Sequence, residues 1–210
     1  MRAWRGIARA LALASGVFMA ATASGEESFA AVVRGLQDEL TASMKQGDSW
    51  DYERRFSELE PVVEGSHHFG LIARVVAGPF WSDFTEEEKT GLANALSRLA
   101  VANLASGFDN HDGQRFEILE TRALRRGQFL VRTVLRRGGR GDVSFDYILA
   151  DADGTPGIIN VVVDGVSDLA LKRAEYQEVL AERGVDGLMS EIGKQIDEMG
   201  GVPGESHPVE

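Results

Sequence analysis

The chain has 210 residues, 33 acidic against 22 basic side chains and a net charge of −11. That balance argues against a nucleic-acid binder, which needs surplus positive charge to face phosphates. There is no cysteine, which excludes thiol chemistry.

Arg2, Arg5 and Arg9 precede or enter a small, apolar run from Ala10 to Ala21, which ends in Ala21-Thr22-Ala23. A charged start, a short apolar middle and a small-x-small end describe a secretory signal peptide. The run is short for a permanent membrane anchor, the competing reading. No cysteine follows it, which excludes lipoprotein attachment. Cleavage is expected near Ala23. It removes three arginines, leaving 187 residues and a net charge of −14. That length suits one domain with a substantial core, expected over 24–200, followed by a flexible tail over 201–210.

The first half reads as helices. Phe29, Val32, Val33, Leu36, Leu40 and Met44 recur at three- and four-residue spacing, predicting a helix from about Ser28 to Gln46. Trp50, Tyr52, Phe56 and Leu59 suggest a second, short one ending by Pro61. Phe69 to Ala77 is strongly apolar and is stopped by Gly78-Pro79, after which Phe80, Trp81 and Phe84 form an aromatic patch. Thr85 and Glu88 make a capping box for a helix that carries Leu92, Leu96, Leu99 and Leu104 to about Ser106.

The second half reads mainly as strands. Gln114–Thr121, Gln128–Leu135, Val143–Leu149 and Ile158–Val163 give four, expected to be antiparallel and curled. Asp151 to Gly157 is dense in turn formers, and a Val-Asp-Gly-Val-Ser corner follows the last strand. Ser167 is the natural N-cap of a helix to Arg183, Gly184 a cap at its end, and Val185–Met199 a final helix. Helices, sheet, helices is an α+β order.

Candidate sites are few. Adjacent His67 and His68 point apart and lack a spaced third ligand, so they read as a helix junction rather than a metal pair. Asp109-Asn110-His111-Asp112-Gly113 and Asp151-Ala152-Asp153-Gly154 resemble fragments of calcium loops without the full oxygen ladder, and read as turns. No Gly-x-Ser-x-Gly elbow and no glycine-rich phosphate loop occurs. No catalytic residue, metal or cofactor is assigned. Two features stand out. Arg122, Arg125, Arg126, Arg132, Arg136, Arg137 and Arg140 crowd nineteen residues of an acidic chain. They read either as a positive patch for anionic headgroups or an acidic partner, or as a solvated hairpin. The second feature is the supply of large apolar side chains, which forms either ordinary core or the lining of a cavity between sheet and helices.

Several ordered segments carry a resemblance. They are Met44-Lys45-Gln46-Gly47, Phe69 through Arg74 to Gly78-Pro79-Phe80-Trp81, Phe108-Asp109 and Gly113 to Glu117. Phe145-Asp146-Tyr147 with Val161 to Ser167 follows, then Arg173, Tyr176 and Gly187-Leu188. Together they resemble the MlaC family, also called toluene-tolerance proteins, soluble periplasmic lipid carriers, and within it the hopanoid-associated HpnM-type branch. Pro156-Gly157-Ile158-Ile159-Asn160 departs from the family's usual Gly-Trp start of the last strand, altering one wall of the presumed cavity.

The resemblance implies a cystatin- or NTF2-like fold that buries acyl chains or a hopanoid between sheet and helices. On that reading the lining comes from Leu71, Val75, Trp81, Phe116, Ile118, Phe129, Val131, Phe145, Tyr147, Leu149, Val161, Val163 and Tyr176. Arg125, Arg126, Arg136 and Arg137 are the candidates for headgroup or partner docking. The implied partners are a phospholipid or hopanoid ligand, an inner-membrane ABC lipid transporter complex and an outer-membrane lipoprotein complex. Two other readings stay open: a small enzyme on an NTF2-like scaffold with Asp or His in its pocket, and a periplasmic adaptor that binds no lipid.

Overall fold

A computed structural model describes residues 18–200. Most of the expected leader, and all of the expected tail over 201–210, lie outside those residues.

Helix α1 (Phe18–Gln46) begins upstream of the expected Ser28. Ala20, Ala21 and Ala23 are strong helix formers, and Ser24-Gly25 does not interrupt them. Its buried positions Phe29, Val33, Leu36, Leu40 and Met44 keep the helical spacing that marks one apolar face. Helix α2 (Tyr52–Ser66) is capped by Asp51, which accepts from the Arg54 amide at 2.8 Å. The expected stop at Pro61 does not occur: Pro61 lies inside α2. It sits on the exposed face, as does Ser57 one turn earlier, so the carbonyl that loses its partner faces water.

Helix α3 (Phe69–Ala77) has the expected bounds. Helix α4 (Glu86–Gly107) starts at the capping box: the Glu88 amide donates to Thr85 Oγ1 at 3.2 Å and the Thr85 amide to Glu88 Oε2 at 2.7 Å.

The sheet has five strands, not four: β1 (Arg115–Ala123), β2 (Gln128–Arg136), β3 (Val143–Ala152), β4 (Thr155–Val163) and β5 (Val166–Ser167). They form an antiparallel meander in sequence order. The fifth comes from Asp164-Gly165. With φ at 47° and 87°, both residues sit where a two-residue hairpin turn needs them, so the chain folds back on β4 instead of turning a corner.

Helix α5 (Asp168–Gly200) breaks at Gly184, whose φ of 67° and ψ of −171° suit glycine alone. It therefore acts as the two helices expected from the sequence. Ser167 Oγ accepts from the Ala170 amide at 3.2 Å. Asn160 of β4 adds a second cap, accepting from Ser167 Oγ at 3.1 Å and the Leu169 amide at 3.3 Å.

Two apolar cores result. One lies between α1, α2, the end of α4 and one face of the sheet, around Leu40, Leu59, Val131, Leu149 and Ile158. The other joins α3, α4 and α5 around Val76, Leu92, Leu99, Tyr176 and Ile192.

The two meet at the α2–α3 junction. There the His68 amide donates to the Ile158 carbonyl at 2.9 Å, and His68 Nε2 to the Thr155 carbonyl at 2.9 Å. A Cβ on Gly157 would stand 2.6–2.8 Å from three atoms of the His68 ring. Gly157→Ala is therefore expected to push the ring off Thr155 and destabilise the protein by about 1–3 kcal/mol, the usual range for overpacking. A thermal melt unchanged from wild type would contradict that contact.

Candidate functional site

Cross-strand partners share a face of a sheet. Phe116 pairs with Leu135, Thr133 with Phe145, Val131 with Tyr147, Phe129 with Leu149, Tyr147 with Val161, and Phe145 with Val163. These residues thus form one apolar face, and α1 lies across it. The Phe29 ring of α1 stacks on Phe129 at 4.0 Å. Aromatic rings continue across the face: Phe108 to Phe116 at 6.0 Å, Phe116 to Phe145 at 5.9 Å and Phe145 to Tyr147 at 6.3 Å.

One polar group crosses the seam between helix and sheet. Gln37 Nε2 donates to Thr133 Oγ1 at 2.9 Å and lies 3.5 Å from the Tyr147 hydroxyl. All three side chains are buried. Burial pushes the Tyr147 phenol up to about 12, only partly offset by the Gln37 amide, so it stays neutral. The amide thus ties α1 to β2 and β3 inside otherwise apolar surroundings.

Val131, Tyr147 and Leu149 of this face are buried, whereas Phe116, Phe129, Phe145, Val161 and Val163 keep part of their surface exposed. The concavities described are open clefts at its edges. One of about 390 Å³ lies between α1 and the edge strand β1, lined by Arg34, Gln37, Asp38, Thr41, Arg115, Phe116 and Ile118. The other, of about 660 Å³, lies at the β1–β2 turn, lined by Arg122 to Arg126 and Gln128. The first opens onto the aromatic row at Phe116.

The opposite face of the sheet is charged. Arg132 forks onto Asp146 at 3.0 and 3.1 Å and reaches Glu120 at 3.2 Å. Arg136 bridges Glu117 at 2.9 Å and Asp142 at 2.7 Å, and Arg122 meets Glu120 at 3.1 Å. Three of the seven clustered arginines are therefore neutralised in place. Arg137 is turned back onto the Gly141 carbonyl at 2.9 Å. Arg125 and Arg126 occupy the β1–β2 turn, whereas Arg136 and Arg137 stand at the far end of β2. Nine residues of strand, roughly 30 Å, separate the two pairs, so no single headgroup spans all four.

Of the lining residues drawn from the resemblance, Phe116, Ile118, Phe129, Val131, Phe145, Tyr147, Leu149 and Val161 gather in the core beneath α1. Val163 joins the same face through its pairing with Phe145. Trp81 and Tyr176 belong to the other core. Leu71 and Val75 are 38% and 41% exposed on α3. Gln37, Thr133, Arg34, Asp38 and Arg115 were not singled out from the sequence. Gln37 had a visible signal, being a polar side chain on the apolar stripe of α1 between Val33 and Leu40.

His67 and His68 form the helix junction. His67 Nδ1 donates to the Val63 carbonyl at 2.9 Å. Burial lowers its pKa to about 4, opposed chiefly by the hydrogen bond to the Val63 carbonyl, with a smaller lowering push from His68 and a smaller rise from Asp168. Unfolded, the imidazole titrates near 6.5. Between those values acid protonates only the unfolded chain. Stability is expected to fall as pH drops from about 6.5 to about 4, by on the order of 3 kcal/mol from this group. His67→Gln should flatten that part of a melting-temperature profile against pH, and an unaltered slope would contradict it. The acidic loops are turns: Asp151 accepts from the Gly154 amide at 2.8 Å, and His111 Nε2 donates to the Gln114 carbonyl at 2.9 Å. Among the described residues, no group of three His, Asp or Glu side chains is placed to hold a metal ion.

A five-stranded meander covered by helices on its apolar face, with charge ladders on the other, defines the class. The MlaC protein family model matches residues 34–194. The chain belongs to the MlaC family. Among solved structures it is similar to a phospholipid-binding protein from Ralstonia solanacearum, solved in complex with a phospholipid. The two share 18% identity over 82% of this chain and 98% of that one, with a TM-score of 0.71, a likeness that establishes the shared fold. No curated protein sequence matches the chain.

Proposed function

We propose that this chain is a periplasmic lipid carrier that takes acyl chains between α1 and the apolar face of the sheet. The observation that carries the reading is the row Phe108, Phe116, Phe145 and Tyr147, which runs from the α1–β1 cleft into the core. Burying acyl methylenes yields about 0.8 kcal/mol each, so a sixteen-carbon chain gains on the order of 12 kcal/mol without any polar clamp. With Val131, Tyr147 and Leu149 buried under α1, deep entry requires α1 to move away from β1 and the partly exposed rings of Phe116 and Phe145 to turn aside.

The relative solved with a phospholipid supports a phospholipid cargo, and the resemblance keeps a hopanoid as the other candidate. The charged start and short apolar run support export, with the leader removed near Ala23, and the family resemblance suggests transfer between an inner-membrane ABC complex and an outer-membrane lipoprotein complex. No helix among the described residues is long and apolar enough to cross a membrane.

Native mass spectrometry of the protein purified from its own envelope tests the reading. The expected result is a chain beginning near Ser24 with lipid bound, its mass telling phospholipid from hopanoid. Bare protein in every preparation overturns it. The close seating of α1, with Phe29 on Phe129 and Gln37 on Thr133, supports a second reading, an adaptor whose interior stays filled. That reading expects only the bare mass.

A further inference from the structure

One polar cluster interrupts the apolar seam between α1 and the sheet. Its members Gln37, Thr133 and Tyr147 are 4%, 0% and 3% exposed. Their hydrogen bonds run one way. Gln37 Nε2 donates to Thr133 Oγ1 at 2.9 Å, and Thr133 Oγ1 donates to the Phe145 carbonyl at 3.3 Å. The Tyr147 hydroxyl is left at the margin. It accepts only the long 3.5 Å contact from the same amide nitrogen and, among the described residues, donates to nothing. A buried hydroxyl without an acceptor costs free energy that a phenyl ring in its place would not, so it calls for a role. Burial keeps the proton on it, with a pKa pushed up to about 12, so the donor persists through the physiological range. Gln37 also lines the α1–β1 cleft with Phe116 and Ile118, so the cluster is reached from that opening. The register sets it midway along the face, with Phe116 and Leu135 on the cleft side and Leu149 and Phe129 beyond.

We propose, resting on the carrier reading, that this cluster receives an ester carbonyl of the cargo, so that the chain selects ester-linked glycerolipids. A carbonyl oxygen has two lone pairs and can accept from the Tyr147 hydroxyl and the second Gln37 N–H together. It replaces their 3.5 Å contact and leaves the Gln37–Thr133 bond in place. A diacyl lipid carries such a carbonyl at the root of each chain. With one at Tyr147, its chain lies over Val131, Leu149 and Phe129, and the headgroup points back to the cleft at Phe116. An ether oxygen is a poorer acceptor, and a polycyclic hydrocarbon offers none at that depth. Either leaves the phenol unpaired in an apolar site.

The test titrates delipidated protein separately with vesicles of diacyl and of dialkyl phosphatidylethanolamine of one chain length, counting bound lipid by mass spectrometry. Headgroup and chains match, so only the carbonyls differ. Wild type is expected to load the ester lipid at about threefold to tenfold lower concentration, the worth of one net buried hydrogen bond. Tyr147→Phe should move the ester titration to within about twofold of the ether one and leave the ether titration in place. A hydroxyl that served the fold alone would move both alike. The melting temperature of Tyr147→Phe should stay within about 4 °C of wild type, separating recognition from folding. Coincident titrations in wild type, an ester preference that survives Tyr147→Phe, or an equal loss of both lipids overturns the carbonyl assignment and leaves the carrier reading standing. Uptake of neither lipid by wild type overturns the carrier reading itself.

Discussion

Tethering α1 to β1 across the cleft is expected to abolish lipid uptake. Thr41 and Ile118 line its two walls and are half-buried. The chain has no cysteine, so Thr41→Cys with Ile118→Cys introduces the only two thiols, which a short, reductively cleavable cross-linker can join. Among the described residues Thr41 hydrogen-bonds only within its own helix, to the Gln37 carbonyl at 2.7 Å, so its loss disturbs the seam little. If acyl chains enter by parting α1 from β1, the joined protein should load from vesicles at least about tenfold less than the open double variant, as for a lid held shut. Cleaving the linker should restore loading. Equal loading with the tether intact would mean that chains enter elsewhere, the β1–β2 turn being the other open cleft.

Tyr147→Asp is expected to have the largest effect on the fold. Tyr147 is 3% exposed, in the middle of β3, between Val131 and Val161 and beneath α1. The substitution removes a ring from a filled core, a loss of about 3–5 kcal/mol by analogy with aromatic-to-alanine changes. It also buries a carboxylate among apolar side chains, adding an effective penalty of several kcal/mol. Together these approach the whole stability of an ordinary domain, about 5–15 kcal/mol. The melting temperature should fall by about 10–20 °C, or the protein should fail to fold. Tyr147→Phe serves as the control. It removes only the hydroxyl, and Gln37 keeps its 2.9 Å bond to Thr133, so the change should stay within about 1 kcal/mol. Circular dichroism melts of the two variants decide the matter. A Tyr147→Asp protein that melts like wild type would mean the face under α1 is wet. Val163→Asp on the same face, but half-buried at the strand's end, should fall between the two.

Local features were readable because neighbouring residues create them. The bounds of α3, the Thr85–Glu88 capping box and the break at Gly184 follow from hydrophobic spacing, a reciprocal hydrogen bond and a backbone conformation that only glycine takes easily. The α+β order and four of the five strands came from the same source. Where two local rules competed, context chose. Pro61 sits inside α2 because its freed carbonyl can face water, and Asp164-Gly165 makes a tight hairpin because Val166 and Ser167 find partners on β4.

What the amino-acid order alone determined, then, is where most of the helices and strands lie and which side of each is apolar, because those depend on residues a few positions apart. Only the tertiary structure decided that α1 covers the sheet, that Gln37 reaches Thr133 across 96 positions, and that three arginines of the cluster are bound by acids of their own sheet. Those are meetings between distant segments. They depend on which apolar faces bury each other when the chain closes, and spacing along the chain carries no record of that choice.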